Sequence, residues 1–310
     1  MGRNSVHCIY VAASQRDARF TRICVASIRS FYPDIPIRLL AGGPLEPGLG
    51  DELARYWNVG IADLTGSEWG WGFIKLEPLF GREGETFLVL DSDTVMTGPL
   101  LDVWVAEDAL FVVDDEQQSD VDAHRLYYNW REIGGVDPTA APPRFLFNSG
   151  QWFGTAGKLS RRDFEAFIDW SEMPPRHRHP RLFMPGDQGI LNYVLNQKAM
   201  LGEITVAPHK IMVWPNHGLQ GISVQAINDG TAPIRVIHWA GIKASRLGSM
   251  AGLDILAHFE RIYYERLPRG QWKRVCRQIM YPAAALCSKA AVRVQKLGRR
   301  LRSRNGEKVR

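Results

Sequence analysis

The 310-residue chain has no run of about 20 apolar residues, which excludes a membrane-spanning helix. Its first stretch, MGRNSVHCIYVAAS, lacks a long apolar segment and a cleavage site, so no secretory leader is expected. Cysteine is scarce. Cys8, Cys24, Cys276 and Cys287 make no C-x-x-C pair, so neither a structural zinc site nor a disulfide framework is expected, and a reduced, cytoplasmic chain is the plain reading. No internal repeat, no G-x-S-x-G and no convincing Ser-His-Asp order is present, which removes the usual marks of acyl-enzyme chemistry. AASQRDAR, near the N-terminus, is not a glycine-rich phosphate loop, and this argues against a nucleotidyltransferase.

Acids are missing from one end. Residues 266–310 hold fourteen Lys/Arg and a single acid, Glu307, for a net of +13; the remainder nets −8. An acidic body therefore carries a basic tail, and such a block seeks anionic surfaces. The 45% hydrophobic and 23% charged composition is ordinary for a globular chain, and the length suffices for a full-sized core. The flip in charge near Pro268 and Gly270 predicts two parts: a folded domain over 1–262 and a basic, amphipathic, partly disordered tail over 263–310.

Apolar periodicity predicts alternating strands and helices. VHCIYVAAS (6–14), IPIRLLAGG (35–43), FLVLDSD (87–93), ALFVVDD (109–115) and VIHWAG (236–241) read as strands. Helices are expected over 19–31, 51–57, 73–80, from Ser160 to about Trp170, and over 186–197. The order implies an α/β fold with a mostly parallel sheet flanked by helices. In such sheets ligands bind beyond the carboxyl ends of the strands, where Asp91 and Asp93 stand.

Two carboxylates at one strand end repel unless a cation lies between them. Alternate residues of a strand share a face, so D-x-D brings the pair together. Hard oxygen ligands suit Mg²⁺ or Mn²⁺, which complete their shells with phosphates. The bland alternative is a surface turn with two solvated acids. His238 ends another apolar run, where a hydrogen-bonded core histidine is the ordinary role; imidazole also ligates Mn²⁺. Asn148, Asp187 and Gln188 stand where apolar segments meet turns, as caps or as parts of a polar pocket. RHRHPR (176–181), set among prolines, reads as a solvated loop or as a phosphate patch.

The ordered blocks LEPLF…FLVLDSDTVMTGPL, FLFNSGQWFG, GDQGILN and VIHWAGIK resemble glycosyltransferase family 8, over roughly residues 5–245. The resemblance implies a Rossmann-like GT-A fold and retaining, metal-dependent sugar transfer, as in bacterial lipopolysaccharide glucosyl- and galactosyltransferases. It implies that Asp91, Asp93 and His238 bind Mn²⁺ (or Mg²⁺), which holds a UDP diphosphate. It places Ala12 and Ala13 near the base, Lys75 and Ser92 at the donor, and Asn148 and Ser149 at the sugar. Asp187 would hold sugar hydroxyls, with Gln188 beside the reacting carbon. The family's late block, H-x-x-G-x-x-K, is one residue short here: after His238 and Gly241, Lys243 or Arg246 would take the phosphate. Trp69, Trp71, Trp152 and Trp239 fit either a sugar site or the core, and the WGWG loop is a candidate flap over the donor.

The expected partners follow: a UDP-sugar donor, a saccharide or glycolipid acceptor, and an anionic membrane surface met by residues 266–310, with Val292, Leu297 and Leu301 on one face. That puts the chain at the inner face of a membrane, as a peripheral protein. Sparse tail aromatics and the acidic body disfavour nucleic acid. The rival from another class is a non-catalytic nucleotide-sugar-binding protein recruited by its tail.

Overall fold

Strand β4 (Thr86–Asp91) is buried on both faces as far as its last residue, as its unbroken apolar run TFLVL requires of a central strand. The computed structural model describes residues 5–63, 70–116, 126–216, 218–241 and 247–281. Around β4 lie β1 (Cys8–Ala13), β2 (Ile37–Ala41), β3 (Val59–Ile61), β6 (Phe111–Asp114), β7 (Gln151–Thr155) and β10 (Val206–His209), in a seven-stranded sheet of order β10-β6-β7-β4-β1-β2-β3. Strand β1 pairs in parallel with β2 and β4, while β7 runs antiparallel to both β4 and β6. The inserted antiparallel strand leaves β4 and β6 pointing the same way. The carboxyl ends of β1, β4 and β6 therefore share one edge.

Helices cover both faces. On one, α1 (Ala18–Phe31), α2 (Leu49–Trp57) and α4 (Leu253–Glu265) pack on Ile9, Val11, Leu88 and Leu90. On the other, Ile190, Leu191 and Val194 of α3 (Asp187–Met200) join the core of Phe87, Val89, Phe111 and Trp152. A small sheet of β11 (Met212–Val213), β12 (Val236–His238) and β5 (Thr94–Met96) stands at the carboxyl edge, with His238 opposite Thr94. The expected α/β sheet, mostly parallel and flanked by helices, is present.

Two predicted helices differ. Residues 74–80 form a 3-10 segment, Ile74–Phe80, with Pro78 inside it and so one backbone donor fewer for an α-helix. Ser160 to Trp170 is one 3-10 turn, Arg161–Phe164, followed by the two-residue strand β8 (Ile168–Asp169), which pairs with β9 (Arg176–His177). Trp170 Nε1 donates to Arg161 O at 3.0 Å, closing that segment on itself.

The chain stays folded past the expected boundary at 262/263. Helix α4 runs through it, and residues 270–281 form a further helix on the body. Arg277 donates to Glu52 through Nη1 (2.9 Å) and Nη2 (3.0 Å), and Arg274 and Gln278 donate to Glu260. Buried Arg22 donates to Glu52, Glu46 and Tyr281 Oη. No helix among the described residues is long and apolar enough to cross a membrane. The tail from 282 to 310, including Val292, Leu297 and Leu301, lies outside the described residues.

Candidate metal and donor site

Strand β4 ends at Asp91, and Ser92–Asp93 turn the chain into β5. Asp91 and Asp93 therefore converge through a turn, and strand alternation is not what brings them together. Thr94 Oγ1 donates to Asp91 O (2.7 Å) and Trp239 N donates to Asp93 O (2.9 Å), which fixes that turn against β12. His238 Nε2 faces both carboxylates, 3.2 Å from Asp93 Oδ1 and 3.8 Å from Asp91 Oδ2. Its ring stacks on Trp214 at 5.1 Å. It also fills the space beside Gly150, where a Cβ would collide with the imidazole.

One donor atom from each of Asp91, Asp93 and His238 lies within 4.8 Å of the others. Two carboxylate oxygens and an imidazole nitrogen suit a divalent cation such as Mg²⁺ or Mn²⁺. Asp93 and His238 are buried, whereas the Asp91 side chain is 27% exposed, so the trio opens toward solvent on one side. The three residues fit a divalent metal.

The charge is also met from within the protein. The Lys75 ammonium, on the 3-10 segment, lies 3.1 Å from Asp91 Oδ1 and 3.4 Å from Asp187 Oδ2. It donates to Ser149 O (3.1 Å) and Ser149 Oγ (2.9 Å) as well. Burial works against its charge, but the Asp187 and Asp91 carboxylates outweigh that and hold its pKa well above the ordinary lysine value. Lys75 thus bridges the D-x-D turn to the start of α3.

Asn148 Oδ1 accepts from Gly150 N–H (2.7 Å). Gln188 Oε1 accepts from Ser149 N–H (3.2 Å) and Asn148 Nδ2 (3.3 Å), and Gln188 Nε2 donates to Leu126 O. Ala12 sits beside Asp91 in the β1–β4 register, and Ser92 N–H donates to Ala12 O. Ala13 is buried at the end of β1, and Gly241 takes a left-handed φ of +71° just after His238. The structure brings Ala12, Lys75, Asp91, Asp93, Asn148, Ser149, Asp187, Gln188 and His238 to one edge. Lys243, Arg246 and Trp69 lie outside the described residues.

Two aromatic candidates belong to the core. Trp152 is fully buried against Phe87, and Trp239 is fully buried with Nε1 bonded to Ala251 O. β-strand alternation turns Trp152 away from Gln151 and into the apolar layer.

Sequence reasoning missed the amide ladder of α3. Asn192 Oδ1 accepts from Phe147 N–H (2.9 Å) while its Nδ2 donates to Phe147 O (2.8 Å). Asn196 does the same with Arg144 N–H and Phe145 O. With Gln188 these amides stand at i, i+4 and i+8, one helix face gripping the backbone that leads to Asn148. The signal was legible: three amides at helical spacing in an apolar segment.

Comparison with solved structures places the architecture. The galactosyltransferase LgtC, solved with donor and acceptor sugar analogs, is similar over 86% of this chain and 99% of its own, at 14% identity and a TM-score of 0.53. The bifunctional glycosyltransferase WbbM is similar over 89% of this chain at 13% identity and a TM-score of 0.55; this chain spans 52% of it. GlyE, a glycosyltransferase of Streptococcus pneumoniae TIGR4, is similar over 84% of this chain and 62% of its own, at 16% identity and a TM-score of 0.52. No protein family and no curated protein matches the chain in sequence. The chain has the GT-A fold expected from the four sequence blocks.

Proposed function

We propose that the protein is a metal-dependent glycosyltransferase that moves a hexose, glucose or galactose, from a UDP-sugar to a saccharide or glycolipid acceptor with retention. The observation that carries this reading is the meeting of Asp91, Asp93 and His238 at the carboxyl edge of a GT-A sheet, one lysine away from Asp187.

Asp91, Asp93 and His238 would hold Mn²⁺ or Mg²⁺, which supplies a Lewis acid for the donor diphosphate. The protein's own groups do the rest. Ala12 and Ala13 form the floor for the base. Lys75 keeps Asp91 and Asp187 in register, so Asp187 can accept hydrogen bonds from sugar hydroxyls. Gln188, its amide held by Asn148 and Ser149, stands beside the reacting carbon. When the glycosyl–phosphate bond breaks, negative charge develops on the leaving diphosphate, and Lys243 or Arg246 would stabilise it there. The acceptor hydroxyl attacks from the leaving-group face and gives its proton to the departing phosphate oxygen.

An anionic membrane surface is the proposed setting. Its support is the outward face of the helix over 270–281, where Trp272, Val275, Ile279 and Met280 are 68%, 55%, 70% and 63% exposed. Arg274 and Arg277 point the other way, into Glu260 and Glu52. A helix merely solvated by water would reverse that arrangement. Exposed apolar side chains on a segment that continues in sequence into the basic run 289–310 suit an anionic lipid interface.

UDP release from a panel of UDP-sugars, with Mn²⁺ and with EDTA, tests the reading. Hydrolysis of one donor is expected, lost with EDTA and in Asp93→Ala. Absence of both turnover and Mn²⁺-dependent UDP binding in the wild type overturns it.

A further inference from the structure

RHRHPR (176–181) supplies no group to the cluster of Asp91, Asp93 and His238. Its arginines face outward, and Arg178 pairs with Asp169 at 3.3 Å. His177 turns inward instead. Its ring packs on Phe73 at 4.9 Å and on Phe183 at 6.3 Å, and its Nε2 accepts from Gly186 N–H at 3.2 Å. Gly186 immediately precedes Asp187 and has φ +100°, a conformation open to glycine. It caps α3 without any side-chain cap of its own helix. Phe73, on the other side of the imidazole, directly precedes the 3-10 segment that carries Lys75. The backbone at Gly72 lies against Gly186, with only 3.7 Å from a Cβ built there to the Gly186 Cα.

We infer that His177 is a positioning residue: its Nε2 anchors the Gly186 turn, its ring buttresses Phe73, and together these hold Asp187 and Lys75 at their separation. The role needs a neutral ring with its proton on Nδ1, because a protonated imidazole has no acceptor. Burial pushes the His177 pKa below its ordinary value and so keeps Nε2 free at neutral pH. The importance of the position for transfer rests on the proposed function; the anchoring of Gly186 does not.

The test uses the full chain and two variants. His177→Phe keeps a ring against Phe73 and removes the acceptor. His177→Gln removes the ring and restores an acceptor at Oε1. Amide hydrogen exchange over residues 183–190 reads the anchor. Exchange at Gly186 should quicken roughly three- to tenfold in His177→Phe, the range that one hydrogen bond supplies, and return toward wild type in His177→Gln. UDP-sugar hydrolysis reads the consequence: kcat falls by a similar or larger factor in His177→Phe, with Mn²⁺-dependent UDP affinity within about twofold, and recovers in part in His177→Gln, which restores the acceptor but not the ring. Unchanged exchange in His177→Phe overturns the inference, as does a His177→Gln variant that behaves like His177→Phe in both readouts. A wild type without turnover removes the proposed function, while the exchange comparison still decides the anchor.

Discussion

Lys75 settles the charge question that D-x-D raises. Two acids at the end of an apolar strand need a cation, and the protein builds one in, at 3.1 Å from Asp91 and 3.4 Å from Asp187. A second cation, held by Asp91, Asp93 and His238, would still leave Asp187 with its lysine partner. Asp187 therefore stands one step removed from the metal group, and the two functions separate by mutation. Asp187→Ala should abolish sugar transfer while Mn²⁺-dependent UDP binding stays within severalfold of wild type, since a single hydrogen bond is worth about 1 kcal/mol. Isothermal titration with UDP beside a turnover assay checks this, and equal loss of both would remove Asp187 from the sugar. Asp91, Asp93 and His238 could be singled out from the sequence because each ends a short apolar run. The pairing of Lys75 with two acids could not, because it depends on the 3-10 segment Ile74–Phe80 meeting the end of β4 and the start of α3 in space.

Helix α3 and the helix over 270–281 show how elements carry the site and its surroundings. In α3, amides spaced by one turn hold the irregular segment 144–149, so the helix positions Asn148 and Ser149 as well as Asp187. Gly189 lets Tyr127 O come so close that any Cβ would collide with it. The C-terminal helix is fastened by Glu52. Burial raises the pKa of this carboxyl, but the bidentate Arg277 and the Arg22 charge outweigh burial and lower it to about 2. A depressed folded-state value stabilises the protein above the unfolded carboxylate pKa, and that stabilisation is lost as pH falls through the folded one. Thermal melts should therefore weaken between about pH 4.5 and 2 in the wild type, with a loss on the order of 2–3 kcal/mol from this group. Glu52→Gln should be less stable at neutral pH and lose part of that acid slope. A variant with the wild-type slope would show that Glu52 is not the group. Arg277 and Arg22 lie 255 positions apart, a distance that no sequence pattern reports.

The molecule as a whole sets a basic, partly apolar end against an acidic body. The described helix over 270–281 keeps its arginines turned inward and its Trp272, Val275, Ile279 and Met280 outward, and Glu52 and Glu260 tie it to helices α2 and α4. Co-sedimentation with vesicles containing phosphatidylglycerol should capture the full chain, and vesicles of phosphatidylcholine alone should not. Trp272→Ala combined with Ile279→Ala should weaken capture about tenfold or more, given the apolar area withdrawn. Binding that ignores both headgroup charge and these side chains would remove the membrane from the proposal.

The alternation of apolar runs and turns sufficed to assign an α/β sheet, to locate β4 and to mark its acidic end, because these depend on short-range periodicity. The ordered blocks sufficed for the GT-A resemblance. The antiparallel insertion of β7, the turn that converges Asp91 with Asp93, the inward direction of His177 and the latching of residues 270–281 arise from contacts between segments far apart in the chain. Such contacts are chosen by packing and charge compensation in three dimensions, and local sequence carries no record of the choice.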